Sequence, residues 1–155
     1  MAGIKQFKSR ETMKLAVGVF ERNGKVWLGV TGSSMYPFLR SDRDMVQLAK
    51  ADIHEVELFD IVLIQRLNGD YILHRLVEKS EDQRHFFLCG DAQKEKEGPF
   101  FPSQLIAKVC AVRKGKRELS CQSAVWKWLV KKWHTSKMTR DMFFFILSFR
   151  RKCFR

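Results

Sequence analysis

Residues Ile61–Val77 read IVLIQRLNGDYILHRLV, two runs of β-branched and aliphatic residues divided by Asn68-Gly69-Asp70. Asn-Gly between apolar runs is the strongest short-range signal for a β-hairpin. The same grammar extends outward in both directions. Lys25–Val30, Met45–Leu48, His85–Cys89 and Leu105–Val112 are further short β-branched or aromatic runs bounded by turn residues. Such spacing implies a mainly β body of antiparallel strands. Before it, Arg10–Arg22 has the apolar spacing of a short helix that Asn23-Gly24 ends. After it, Ala124–Trp133 and Met138–Phe149 read as helices mixing large apolar residues with Lys and Arg. Gly115 and the charges around it divide residues 1–115, the β body with its leading helix, from a tail over residues 116–155.

Composition agrees with one compact domain plus a tail. The chain has 155 residues, 45% hydrophobic and 30% charged, a globular balance rather than that of a disordered polyelectrolyte. The net charge of +12 is concentrated: residues 114–155 hold 12 Lys and Arg against Glu118 and Asp141, whereas the first 113 hold 17 basic against 15 acidic residues. A nearly neutral body argues against a nucleic-acid-binding core, and no nucleic-acid partner is expected. Cys89, Cys110, Cys121 and Cys153 form no C-x-x-C pair, so neither a zinc site nor a disulfide scaffold is indicated. Lys5, Lys8, Arg10, Glu11, Lys14, Glu21 and Arg22 interrupt every apolar run near the N-terminus, which reads as neither a signal peptide nor a bilayer span.

Thr31-Gly32-Ser33-Ser34-Met35-Tyr36-Pro37 is a turn-prone stretch at the end of a strand. A serine hydroxyl is a weak nucleophile. It needs a constrained turn, a base within hydrogen-bond reach and donors for the oxyanion. Taken alone, a Ser-Ser turn is more often only a turn, and His74 in an apolar strand is more often a satisfied core histidine.

The string Gly32-Ser33-Ser34-Met35-Tyr36-Pro37 resembles the G-x-S-M-x-P box of the signal peptidase I and LexA-type serine peptidase superfamily. Further boxes follow in order: Asp44-Met45-Val46, Asp60-Ile61-Val62-Leu63, His74-Arg75-Leu76-Val77, Gly90-Asp91-Ala92-Gln93, and Ile106-Ala107-Lys108-Val109. His74-Arg75 is similar to the histidine-base, endoplasmic-reticulum-type branch, where other members carry lysine. The resemblance implies a LexA/signal-peptidase-like coiled antiparallel β domain and a serine endopeptidase. In that reading Ser34 is the nucleophile, His74 the general base, and Asp91 or Glu97 the acid that orients it. It implies no metal or organic cofactor. Arg43 and Phe59 stand where family members often have glycine before Asp44 and Asp60. Gly32 stands where signal peptidases commonly place an oxyanion serine, leaving the Ser34 backbone N–H and a neighbouring amide as chief donors.

The expected partner is a peptide or precursor protein, with leader-peptide or maturation processing as the implied task. Lacking the family's N-terminal membrane anchor, the chain is expected in the cytoplasm. Trp126, Trp128, Trp133, Phe143–Phe145 and Phe149 alternate with Lys127, Lys131, Lys132, Arg140 and Arg150–Lys152. That mixture suits peripheral contact of residues 124–155 with the inner face of an anionic membrane, and it equally suits amphipathic helices packed on the β domain. The alternative function is a non-catalytic peptide-binding or membrane-associated module of the same fold.

Overall fold

A computed structural model describes residues 10–136 together with residues 141 and 142. Helix α1 (Arg10–Asn23) is followed by strands β1 (Lys25–Gly29), β2 (Asp44–Lys50), β3 (Ile61–Gln65), β4 (Tyr71–Lys79), β5 (Phe86–Cys89), β6 (Glu97–Phe100), β7 (Leu105–Lys114) and β8 (Arg117–Ser120), then helix α2 (Ala124–Thr135). The chain divides into two compact units between Cys121 and Gln122. The first is mainly β, its eight strands forming one sheet in which every pairing is antiparallel.

The sheet runs β1-β2-β7-β3-β4-β5-β6, with β8 added to β7. β7 is its axis. It pairs β2 along one edge, and β3 and β8 along successive parts of the other. Register shifts interrupt four ladders, at Gln47/Leu48, Leu63/Ile64, Leu76/Glu78 and Phe86/Leu88. Irregularities of this kind bend the strands and strengthen their twist. Val62, Ile64, Leu76, Phe86, Leu88 and Phe100 gather into a buried cluster between the hairpins. Lys79 Nζ donates to the carbonyls of Ile53 and Val56, fastening the β2–β3 connection to β4.

The Asn68-Gly69-Asp70 signal marks a real hairpin: Gln65 faces Tyr71, Arg66 N donates to Asp70 O at 2.8 Å, and Gly69 takes a φ of +87°. Two strands were not expected. β6 contains Gly98-Pro99, residues that argue against a strand interior, yet it is the outermost strand, where a missing N–H costs least. β8 is exposed throughout, so it carries no alternating pattern. It forms because Gly115, at φ +60°, turns the chain between Lys114 and Arg117. The β unit therefore extends to Cys121 rather than ending at residue 115.

In the second unit, Ser123 caps α2 by accepting from Trp126 N, and Trp126, Val130 and Trp133 are its buried residues. The helix expected over Met138–Phe149 lies outside the described residues, apart from residues 141 and 142. Among the described residues no helix is long and apolar enough to cross a membrane.

Candidate active site

β1 delivers the chain into the Thr31–Pro37 turn. Gly32 sits at φ +78°, a conformation that disfavours any side chain. Met35 O accepts from Leu39 N at 2.8 Å, and the loop closes at its base where Val30 N donates to Asp44 O and Asp42 N to Val30 O. The buried Asp44 carboxylate strengthens that base. Its Oδ2 accepts from Arg40 N and from Lys114 Nζ, both at 3.0 Å. Ser34 is thereby held on a braced loop.

β4 brings the second group. His74, cross-strand from Val62, is 5% exposed, and its Nε2 lies 3.1 Å from Ser34 Oγ across forty residues of sequence. A neutral imidazole with its proton on Nδ1 can accept the Ser34 hydroxyl proton at Nε2. Burial, the dominant influence, lowers the His74 pKa below its ordinary 6.5; the negative charge of Glu97 opposes this and the positive charge of Arg66 adds to it. At pH 7 the His74 ring is therefore mainly neutral.

Neither proposed acid orients His74 by a hydrogen bond, for Nδ1 is buried and has no hydrogen-bond partner among the described residues. Asp91 forms a bidentate ion pair with Arg75, at 2.7 Å from Nε and 2.6 Å from the second guanidinium nitrogen, both side chains fully buried. Glu97 forms a similar pair with Arg66, at 2.7 and 2.6 Å, but half-buried. Both carboxylates act on His74 only through space, each favouring its protonated form.

Arg75 had no role in the sequence reading beyond its place beside His74. A lone arginine in an apolar strand must find an anion if buried, which is the signal that could have flagged it. Its third contact is to Phe59 O at 2.7 Å, and its guanidinium lies 5.2 Å from the Phe38 ring centroid. The Gly90–Gln93 turn that carries Asp91 also grips Ser34. Ala92 N donates to Ser34 O at 2.8 Å. Gly90 packs so close that an added Cβ would stand 2.5 Å from Ser34 O, and Gly90 N donates to Gln93 Oε1 at 2.9 Å.

Ser34 and His74 both line a cavity of about 210 Å³ whose other walls come from Met13 of α1 and from β1, β2, β3 and Tyr71–Leu73 of β4. Among the described residues no cluster of three or more His, Cys, Asp and Glu is placed to hold a metal ion. Cys110 and Cys121 are free thiols, and burial pushes Cys121 up to about 12. Compared with protein-family models, curated proteins and solved structures, the chain matches none.

Proposed function

We propose that the protein is a serine endopeptidase of the signal-peptidase and LexA type, acting on a peptide or precursor protein. The observation that carries the reading is the 3.1 Å approach of His74 Nε2 to Ser34 Oγ beside a cavity both residues line. In the proposed reaction His74 takes the Ser34 proton as Oγ attacks the scissile carbonyl, then gives it to the leaving amine; water repeats the sequence in reverse to free the acid. The ordered boxes support the finer fold. Five of the six fall on parts that touch this site: the nucleophile loop, its Asp44 brace, Leu63 in the cavity wall, the His74 strand and the turn that holds Ser34 O.

The test is labelling by a fluorophosphonate, with the modified residue located by mass spectrometry, alongside cleavage of a random peptide library. Wild type should be labelled at Ser34 and should cleave; Ser34→Ala and His74→Ala should do neither. Cleavage retained by either variant would sink the proposal.

A second reading is favoured by one feature. On α2, Val125, Trp128 and Leu129 are exposed beside Lys127, Lys131 and Lys132, with Lys132 Nζ 5.0 Å from the Trp128 ring centroid. An exposed aromatic and aliphatic face rimmed by lysines suits an anionic lipid surface. In this reading the protein is a membrane-associated module, and the two readings are compatible.

A further inference from the structure

Cys110 and Cys121 have no motif spacing in sequence, and the fold brings them together. β8 turns back on β7 through Gly115 and Lys116, with Lys114 opposite Arg117 and Ala111 opposite Ser120, so Cys110 and Cys121 are the next opposed pair. Cys121 N donates to Cys110 O at 2.9 Å, as in a hydrogen-bonded antiparallel pair. Residues so opposed project their side chains to the same face, with Cα atoms about 5.5 Å apart. A disulfide spans a similar Cα separation, about 5.5–6 Å. Only the Cβ atoms must close, by about 1 Å. Cys110 is a place where β7 can yield. Ala111 faces Gln47 and Val109 faces Leu48, so the register shift passes Cys110 by, and a small movement there breaks no ordinary pair with β2.

We infer that Cys110 and Cys121 form a reversible disulfide site, closed by a low-molecular-weight disulfide such as glutathione disulfide, and that the bond fastens β8 to β7. Ser34 and His74 take no part in it. Cys110 is half-buried, whereas Cys121 is buried and its thiol is pushed up to about 12, so Cys110 meets the oxidant first. Its sulfur attacks one sulfur of glutathione disulfide and expels the first glutathione. Cys121 Sγ then attacks Cys110 Sγ and expels the second. Two protein thiols are oxidised to one disulfide, one glutathione disulfide is reduced to two glutathiones, and each thiol proton ends on a glutathione. The bond would act on a weakly anchored strand. Every side chain of β8 is exposed, so its ladder to β7 and an exposed Arg113–Glu118 pair at 3.4 Å hold it with little apolar burial.

The experiment uses the native full chain, freed of reductant, incubated with glutathione disulfide, alkylated with iodoacetamide and digested with trypsin without reduction. Cleavage after Lys108, Arg113, Arg117 and Lys127 separates the two cysteines. A linked pair joining residues 109–113 to residues 118–127 should be the main cysteine pairing, about tenfold above any other, and dithiothreitol should abolish it. The urea midpoint of the oxidised protein should rise above that of the reduced protein, and Cys110→Ser or Cys121→Ser should remove the rise. Alkylation of both cysteines, glutathione left on Cys110 without a bridge, or bridges chiefly to Cys89 or Cys153 would overturn the site. A bridge that does not raise the midpoint overturns the fastening role, as does a rise that persists in either variant. Where a variant does not fold, by circular dichroism, the wild-type pairing and midpoint still decide.

Discussion

At the scale of single residues, His74 is defined by what its two nitrogens meet. Nε2 has the Ser34 hydroxyl at 3.1 Å, while Nδ1 is buried with no hydrogen-bond partner among the described residues. Protonation would add a charge that burial penalises, so the pKa falls below 6.5. Only the neutral ring can accept the serine proton. The rate of Ser34 acylation should therefore be flat above neutrality and half-maximal below pH 6.5; a midpoint at or above 6.5 in the pH profile contradicts this account. Glu97→Gln removes the largest charge holding that pKa up and leaves the Arg66 cation unopposed, so the midpoint should move lower still. Stability follows the same sign. With the folded-state pKa depressed, the unfolded chain binds the proton first, so the contribution of His74 is complete above about 6.5 and is lost as pH falls through the folded value.

At the scale of elements, the Gly90–Gln93 turn holds Ser34 from the far end of β5. Gly90→Ala would drive a Cβ to within 2.5 Å of Ser34 O, and backbone cannot yield as a flexible side chain can. The expected cost is about 1–3 kcal/mol in denaturant unfolding, but a fall of about 10- to 100-fold in fluorophosphonate labelling of Ser34, because a small displacement at reacting atoms is amplified. Equal wild-type labelling would show that the contact does not position Ser34. The helix α2 carries its own test. Vesicles containing anionic lipid should sediment the wild-type protein more than neutral vesicles do, and Trp128→Ala with Leu129→Ala should reduce that binding. The elements also show what the sequence could disclose. Six strands, both described helices and the 68–70 hairpin were legible because each has an apolar period or a turn signal. β6 and β8 were not, since a Gly-Pro edge strand and a fully exposed strand lack the alternation that burial imposes. Ser34 and His74 were legible only through ordered boxes. The partners of Asp91 and Glu97 were not, because an ion pair between residues 16 or 31 positions apart leaves no trace in local pattern.

At the scale of the whole β unit, the two carboxylates that sequence left as alternative candidates, Asp91 ahead of Glu97, do different work. Asp91 and Arg75 are fully buried, and their pair ties three parts of the unit together: β4 beside His74, the turn that holds Ser34 O, and the Phe59 carbonyl before β3. Two buried charges are tolerated only while each satisfies the other. Asp91→Leu should therefore cost about 3–5 kcal/mol by urea unfolding, because it strands a buried guanidinium. The double change Arg75→Met with Asp91→Leu should recover much of that loss, since apolar groups of similar volume need no counter-charge. Glu97→Gln, which breaks a half-exposed pair, should cost about 0–1 kcal/mol. The decisive comparison is Ser34 labelling in the folded double variant. If Arg75–Asp91 serves only stability, labelling returns together with the unfolding midpoint. If it also sets the distance between β4 and the Ser34 turn, the midpoint recovers while labelling stays low, because methionine and leucine can fill the volume but cannot reproduce a bidentate bond of fixed length and direction.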